Sequence, residues 1–189
     1  HNYLKQFIKP GITTKELDKL AEDYILSRNA TPSFKGLYGF PGSICTSLNE
    51  EVVHGIPSDR KLEDGDIVKL DIGACYQGYH GDSAWSYPVG KISKVQQDLL
   101  DHTEESLFEG LSVIKEGIYL GDISNKIEQT ANKYNLGVVK ELVGHGIGKK
   151  VHEKPDVPNY GAKKTGPILK AGMTLAIEPM LNLGSPNIY

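Results

Sequence analysis

Two aspartates whose spacing suits metal chemistry, Asp71 and Asp82, lie in one segment of the chain. Gln77-Gly78 between them has the composition of a two-residue hairpin turn, and such a turn pairs Asp71 with Ala84. Asp82 lies two residues from Ala84, so in the absence of a bulge it shares a face with Asp71. Like charges placed so close raise each other's pKa and cost stability unless a cation or a proton is shared. We therefore predict that this hairpin binds a divalent metal.

A histidine and a glutamate further along the chain are two more candidate ligands. His145 lies within Gly144-His145-Gly146-Ile147-Gly148, where the glycines let the backbone approach an ion closely. Glu178 lies in an otherwise apolar run, where an acid is rarely left without a partner. A mixed set of carboxylates and imidazole suits Mn, Fe, Co or Zn better than Ca or Mg, and it does not select one of them.

Each of these residues also has an ordinary interpretation by itself. A single aspartate in a hairpin is often a turn or surface residue, and a single histidine in a loop is often hydrogen-bonded and inert. The metal prediction therefore depends on their joint occurrence in strand or glycine-rich contexts. His80 alternates to the same hairpin face as Asp82, but the sequence does not rank it as a ligand, and we leave it outside the predicted site.

Composition and charge exclude several classes of protein. Of the 189 residues, 39% are hydrophobic and 24% are charged, which predicts a globular protein and argues against disorder. The net charge of −3 gives no nucleic-acid signature. No apolar run approaches the roughly 18 residues that span a membrane, and we expect a cytoplasmic protein. Cys45 and Cys75 are too few for a disulfide framework, and we interpret both as small buried residues.

Local patterns predict helices and strands in an order that places these residues. Thr13 and Glu16 form a capping-box pattern before apolar residues at helical spacing. Short apolar runs bounded by Gly, Pro and Asn predict strands. The predicted helices span 14–28 and 93–115, Asp122 is expected to cap a third helix, and the predicted strands cover 43–48, 51–54, 66–76, 79–88, 138–143 and 173–180.

The sequence also carries an internal repeat. Lys9-Pro10-Gly11-Ile12 recurs as Lys115-Glu116-Gly117-Ile118, 106 positions later (115 − 9), and each copy precedes a predicted helix. Leu62-Glu63-Asp64-Gly65 and Leu169-Lys170-Ala171-Gly172 are offset by 107 (169 − 62), and each is followed by a carboxylate six residues past its glycine. Such glycine signals are common in loops, but two matches at nearly one offset favour a duplicated helix-then-hairpin unit.

Four motifs then occur in order along the chain. They are His54-Gly55-Ile56-Pro57, the Asp71 and Asp82 pair, Gly144-His145-Gly146-Ile147-Gly148 with His152 seven residues beyond His145, and Ile177-Glu178-Pro179. Together they resemble the type I methionine aminopeptidases over nearly the whole chain. The resemblance implies the pita-bread α/β (α+β) fold: one peptidase domain, 1–189, with two pseudo-symmetric halves of helix plus antiparallel hairpin, about 1–90 and 91–189, and the site between them.

The resemblance also implies a set of metal ligands. Asp71 resembles the bidentate ligand of one ion, Asp82 the bridge between two ions, and His145 and Glu178 the ligands of the second. Two divalent ions (Co, Mn, Fe or Zn) are therefore expected. A water or hydroxide that bridges them would attack the carbonyl after the first residue, with Glu178 relaying its proton.

Two histidines that resemble non-ligand catalytic residues complete the implied site. His152 would hold the scissile carbonyl or the developing oxyanion, and His54 would lie near the leaving amide nitrogen or the following residue. In the family the methionine pocket is lined by the segment before the first strand, and Phe40, Cys45 and Leu37 correspond to that lining. Leu37 stands where an aromatic residue is common, and Val151 stands where a larger residue often precedes the histidine, so a reshaped pocket is expected.

The implied activity is removal of the N-terminal methionine from nascent polypeptides. The expected partners are methionyl peptides and nascent chains, with proximity to the ribosome as a family-level expectation, and we expect a monomer. Two alternatives are an X-Pro peptidase of the same fold and a non-catalytic pita-bread module that binds proteins. The first usually carries a further histidine motif and an extra N-terminal domain, and the second typically loses ligands.

The chain departs from the family pattern at both ends. In the family, another hairpin follows Ile177-Glu178-Pro179 and supplies a second bridging glutamate, whereas no acidic residue follows Glu178 here. The family also usually begins some tens of residues earlier. We expect that the sequence omits residues of the native protein, and the alternatives are a gene fragment or a naturally shortened protein. A protein that truly lacked the hairpin would lose the bridged metal pair and most of its activity.

Overall fold

The structure is a computed structural model that describes all residues 1–189 and divides the chain into two units. The first unit comprises His1–Gln96 and Gly148–Val151, and the second comprises Gln97–Ile147 and His152–Tyr189. None of the helices is both long and apolar enough to cross a membrane.

The first unit is built on one long hairpin and a capped helix. Its elements are α1 Asn2–Lys5, α2 Thr14–Ser27, β1 Thr31–Pro32, a 3₁₀ turn at Leu37–Gly39, β2 Cys45–Leu48, β3 Ile67–Tyr76 and β4 Tyr79–Pro88. Strands β1, β2 and β4 all pair antiparallel with β3. The predicted capping box starts α2, because Thr13 Oγ1 accepts the N–H of Glu16 and Glu16 Oε2 accepts the N–H of Thr13. Leu17, Ala21 and Ile25 then face the core.

The second unit contains shorter strands around two long helices. Its elements are α3 Lys94–Ser112, which begins at the end of the first unit, α4 Leu120–Lys133, β5 Leu136–Val138, β6 Gly144–Gly146, β7 Glu153–Val157, β8 Leu175–Ala176 and β9 Leu181–Leu183. β6 pairs with β7 and β8, and β5 pairs with β9. The core side chains of α4, Ile123 and Ile127, are fully buried against Val157 and Leu169.

Most predicted elements are confirmed, including both long helices and the two strands of the hairpin. The predicted strand at 51–54 is wrong: His54 has a φ of +61°, and this left-handed conformation interrupts an extended chain. The predicted strands at 138–143 and 173–180 are largely wrong: the first shares only Val138 with β5, and the second shrinks to β8. The second of these is cut short where the chain changes its pairing partner from β6 to β5, at Glu178 and Pro179, and a proline cannot donate to a strand ladder.

The expected cap of the third helix is also corrected. The N-cap of α4 is Tyr119 and not Asp122. Asp122 lies three residues later, and its Oδ2 accepts the N–H of Tyr119 at 3.1 Å. An acid at this position satisfies one of the backbone donors that a helix start leaves open and favours the positive end of the helix dipole. The sequence correctly indicated that Asp122 stabilises the start of this helix, but it assigned Asp122 to the N-cap position, which Tyr119 occupies.

The internal repeat is confirmed in the backbone. Gly11 N donates to Leu62 O at 2.8 Å, and Gly117 N donates to Leu169 O at 3.0 Å, with the offsets of 106 and 107 found in the sequence. The helices that follow, α2 and α4, both have 14 residues and start 106 positions apart (120 − 14). Each helix is followed by an asparagine in the left-handed conformation, Asn29 at φ +57° and Asn135 at φ +55°. The chain thus forms the same local structure twice: a glycine turn, a helix and an asparagine in the left-handed conformation.

A charged cluster between α3 and α4 leads to a prediction about acid stability. Hydrogen bonds from Tyr134 and then from Lys133 lower the pKa of Glu105. A lowered carboxyl pKa stabilises the fold above the pKa of the unfolded chain, and this contribution is lost as the pH falls through the folded-state pKa. We expect Glu105→Gln to lower the Tm at neutral pH, with the deficit shrinking in acid.

Thermal unfolding followed by circular dichroism at a series of pH values measures this effect. Glu104→Gln, an exposed neighbour on the same helix, is the matched control and should leave the Tm unchanged. A deficit for Glu105→Gln that stayed constant down to acid pH would contradict the prediction.

Candidate functional site

The hairpin places Asp71 and Asp82 on one face, as predicted. The ladder between β3 and β4 runs without a register shift from Tyr76 opposite Tyr79 to Ile67 opposite Pro88. Asp71 therefore lies opposite Ala84, and Asp82 lies opposite Gly73, two residues from Asp71 along β3. Both aspartates are only partly exposed. The two-residue turn at Gln77-Gly78 fixes this register, since each of its residues adopts a positive φ.

The thiol of Cys45 is sensitive to both aspartates. Cys45 on β2 is the cross-strand partner of Asp71 on β3. Burial is the main cause, and the negative charges of Asp71 and Asp82 add to it; together they raise the pKa of the Cys45 thiol to about 12. Cys45 is therefore a protonated, apolar neighbour of the two carboxylates and not a nucleophile.

His145 and Glu178 come together in the second unit. His145 is buried, with 8% of its surface exposed, and lies on β6 opposite Ala176 of β8. Its Nδ1 is 2.8 Å from the carbonyl oxygen of Gly146, and its Nε2 is 3.2 Å from Oε1 of Glu178. The imidazole thus lies between a backbone carbonyl and a carboxylate.

The protonation of His145 follows from these two contacts. A carbonyl oxygen only accepts hydrogen bonds, so Nδ1 carries the proton and donates to Gly146. In the neutral ring Nε2 then points its lone pair at a carboxylate oxygen, and this contact is repulsive unless a proton or a metal cation lies between them. A metal-binding histidine usually has its other ring nitrogen fixed by a carbonyl or a carboxylate in this way. The arrangement fits a divalent cation.

Glycines on both sides of His145 make this geometry attainable. A Cβ at Gly144 would collide with the carbonyl oxygen of Ala176, and a Cβ at Gly146 would collide with the carbonyl oxygen of Lys154. The narrow strand β6 can therefore lie between β7 and β8 only with glycine at both positions. The glycines thus serve close packing between strands, whereas the sequence predicted that they allow close approach to an ion.

The two predicted helper histidines lie in different units. The ring of His152 is 4.5 Å from that of His145 and nearly perpendicular to it, and His152 is exposed. His54 is exposed in the first unit, on a segment held along β2 by a hydrogen bond from Thr46 N to Gly55 O. No group of three or more His, Cys, Asp or Glu side chains comes together at metal-binding separation in the structure, so the full ligand set stays a prediction.

The residues expected to line a methionine pocket do pack together. Leu37 and Phe40 lie against buried Cys45 in one apolar cluster of the first unit, together with Phe34 and Val151. Phe34 was not predicted. It belongs there because Gly73 opposite Asp82 has no side chain, and a Cβ at Gly73 would lie 2.5 Å from the Phe34 ring. A lone aromatic residue in a loop gives no sequence signal for such packing.

His80, which the sequence could not rank, has a structural explanation. Its Nδ1 is 2.8 Å from Oγ of Ser33, and its backbone N–H donates to the carbonyl of Gly148 at 2.8 Å. These bonds hold Ser33, next to Phe34, and Gly148, near Val151, against the turn end of the hairpin. His80 thus supports the apolar cluster.

A known family matches nearly the whole of this chain. A profile of metallopeptidase family M24 matches residues 1–188. The chain belongs to this family of metallopeptidases, and membership implies the use of a divalent metal. The pita-bread fold that the resemblance implied is the fold of its structural relatives.

Within that family the chain is highly similar to methionine aminopeptidases. It is 57% identical over 185 residues to methionine aminopeptidase 1 of Bacillus subtilis, covering 98% of this chain and 75% of that protein. The crystal structure of methionine aminopeptidase from Rickettsia prowazekii superposes with a TM-score of 0.97 at 40% identity, over 98% of this chain and 75% of that one.

The same fold also occurs in a relative named for a different substrate. The Xaa-Pro dipeptidase from Bacillus anthracis superposes with a TM-score of 0.83 at 26% identity, over 96% of this chain and 49% of that one. Its lower identity and coverage place the chain with the methionine aminopeptidases and not with the X-Pro peptidases, the first alternative that the sequence left open.

Proposed function

We propose that this protein hydrolyses the first peptide bond of polypeptides that begin with methionine and releases the free amino acid. One observation carries the proposal: Cys45 belongs to the apolar cluster and is also the cross-strand partner of Asp71. An apolar site for one side chain therefore adjoins the hairpin carboxylates. Nascent chains in the cytoplasm are the natural substrates of such an activity.

The proposed metal ligands are Asp71 and Asp82 in the first unit and His145 and Glu178 in the second. Two divalent ions are the number that these ligands would serve in the family pattern. When bound, such ions lower the pKa of water and polarise a carbonyl oxygen. The shared face of the hairpin supports the first pair, and the contact of His145 Nε2 with Glu178 Oε1 supports the second.

The chain's own residues supply the remaining chemistry. We assign to Glu178 the transfer of a proton toward the leaving amine, since its carboxylate is partly exposed as well as in contact with His145. We assign to His152 a hydrogen bond to the scissile carbonyl oxygen, where negative charge develops during attack. We place His54 near the leaving nitrogen or the second residue of the substrate.

The apolar cluster is the proposed site for the methionine side chain. The cluster comprises Phe34, Leu37, Phe40, Cys45 and Val151. A thioether packs well against aromatic rings. A pocket that reads one side chain by size and shape discriminates only modestly among similar side chains, by about 1–3 kcal/mol per methylene. Leucine and norleucine peptides should therefore be measurable, weaker substrates.

A carboxylate outside the cluster should control its shape. Asp18 on α2 accepts the N–H groups of Ser43 and Ile44 at 2.7 and 2.9 Å, directly before Cys45. Ser43 and Ile44 are fully buried, and a buried donor that loses its acceptor costs about 1–3 kcal/mol. We expect Asp18→Ala to lower the Tm, to raise the KM for methionyl peptides and to weaken the preference for methionine over leucine.

The conservative change Asp18→Asn is the matched control, because its amide oxygen can still accept both bonds. It should retain nearly the original KM and selectivity. Steady-state kinetics with methionyl and leucyl peptides, beside thermal unfolding, make the comparison. An Asp18→Ala protein with unchanged KM and selectivity would contradict the prediction.

The proposed function is tested by peptide release with the purified protein loaded with Mn²⁺ or Co²⁺. Release of free methionine from Met-Gly-Met, with no cleavage of an X-Pro dipeptide, is the expected result. Cleavage of the X-Pro dipeptide alone would overturn the proposal in favour of a prolidase-type activity. Cleavage of neither peptide by a protein that binds no metal would favour a non-catalytic protein-binding module.

A further inference from the structure

A fully buried asparagine in the second unit holds the main chain of the proposed catalytic glutamate. Asn159 has 0% of its surface exposed. Its Nδ2 donates a hydrogen bond of 2.8 Å to the backbone carbonyl of Glu178. The other side-chain atom that could bond, Oδ1, is buried and has no hydrogen-bond partner. The side chain is thus half satisfied, and its single bond ends on Glu178.

The backbone around Glu178 depends on such a side-chain bond because it lies between strands. β8 ends at Ala176 and β9 begins at Leu181, and the two strands pair with different partners. Pro179 has no N–H to add to a ladder and restricts Glu178 to extended conformations. The direction in which the Glu178 carboxylate points is therefore set by how its main chain is fixed, and Asn159 provides a fixed point.

The acceptor of the Asn159 bond favours a positioning role over a purely structural one, because that acceptor is the main chain of a proposed metal ligand. A buried amide oxygen without a partner costs about 1–3 kcal/mol, and an apolar side chain of similar size would avoid this cost. Asn159 makes no hydrogen bond to His145 or His152. Its influence on the proposed site therefore runs through Glu178.

We propose that Asn159 is a positioning residue: its amide fixes the main chain of Glu178 so that the carboxylate stays against His145 and serves the divalent metal site. This inference rests on the proposed roles of Glu178. Outer residues that orient metal ligands typically contribute about 10–100-fold to metal affinity or activity. Asn159 should contribute within that range, with no direct contribution to substrate binding.

The test replaces Asn159 with leucine and measures two quantities. Calorimetric titration of the metal-free protein with Mn²⁺ or Co²⁺ gives the metal affinity, and steady-state hydrolysis of a methionyl peptide at saturating metal gives kcat and KM. We expect Asn159→Leu to weaken metal binding and to lower kcat, each by about 10–100-fold, with KM unchanged. Asn159→Ser, which leaves room for a water molecule, repeats the measurement if the leucine protein does not fold.

Asn125 provides a matched control in the same unit. Its Nδ2 donates to the carbonyl of Gly161 at 2.8 Å, and its Oδ1 is likewise buried without a partner. Asn125→Leu removes the same kind of bond from a carbonyl outside the proposed site. It should lower the Tm to a similar extent but leave metal affinity and kcat unchanged.

The outcomes separate the positioning role from the proposed function. If the Asn159 and Asn125 variants lose only stability, the positioning role is overturned while methionine release stands. If the wild-type protein binds metal tightly without releasing methionine, and Asn159→Leu weakens that binding, the positioning role stands and the proposed function fails. In a Glu178→Gln background, a further loss of metal affinity from Asn159→Leu would also overturn the role, because the effect would not pass through Glu178.

Discussion

Replacement of Asp82 by asparagine should abolish methionine release and weaken metal binding by about a hundredfold or more, beyond the usual effect of residues that merely orient ligands. The change keeps the volume of the side chain but removes its charge. Asp82 shares a hairpin face with Asp71 through an unbroken ladder. An amide at this position is a poor ligand for a transition-metal ion compared with a carboxylate.

The same substitution should have the opposite effect on the metal-free protein. Two carboxylates on one face repel each other when no cation is bound. Asp82→Asn removes that repulsion, so the Tm of the metal-free variant should rise above that of the metal-free wild type. The stabilisation that added metal gives to the wild type should largely disappear in the variant.

Calorimetry, peptide hydrolysis and thermal unfolding with and without metal measure these effects. Ser83→Ala is the matched control, because Ser83 is the next residue on β4 and faces the other side of the sheet. It should change neither metal affinity nor turnover. Full turnover by the Asp82→Asn protein would count decisively against the metal mechanism.

Substitution of His152 by alanine should lower kcat by about 10²–10³-fold, the loss expected for a hydrogen-bond donor to a developing oxyanion. Metal affinity should stay close to that of the wild type, since His152 is proposed as a helper and not as a ligand. The exposed ring, 4.5 Å from and nearly perpendicular to that of His145, is consistent with a side chain that meets the substrate.

Two further variants sharpen the interpretation of His152. His152→Gln retains an N–H donor on a side chain of similar reach and should recover part of the lost kcat. His102→Ala removes a histidine on α3 that stacks on Tyr134 and should leave kcat unchanged. A loss of metal affinity in His152→Ala equal to its loss of kcat would reassign His152 as a ligand.

Much of the fold was predictable because a tight turn and an internal repeat each fix the spacing between residues. A two-residue turn at Gln77-Gly78 determines every pair in the hairpin, so the shared face of Asp71 and Asp82 followed from counting alone. The repeat was equally visible because the glycines of its turns recur at one offset. Register and duplication are properties of spacing, and the sequence displays spacing directly.

The residues that were missed depend on long-range packing. Phe34 joins the apolar cluster because a glycine on a neighbouring strand leaves space for its ring. Asn159 matters through one bond to a carbonyl 19 positions away. Neither a lone phenylalanine nor a lone asparagine forms a periodic pattern. The short strand before Glu178 was overestimated because its apolar run continues past the point where the pairing partner changes.

The internal repeat gives the protein two comparable copies of one backbone unit. Gly65 and Gly172, at φ +97° and +89°, occupy equivalent turns, and each lies six residues before a proposed ligand, Asp71 in one copy and Glu178 in the other. The same turn thus presents an aspartate in one copy and a glutamate, longer by one methylene, in the other. An equivalent substitution in the two turns would perturb two related sites within one molecule, at identical concentration and under identical conditions. Each copy of the unit can therefore serve as the reference for the other.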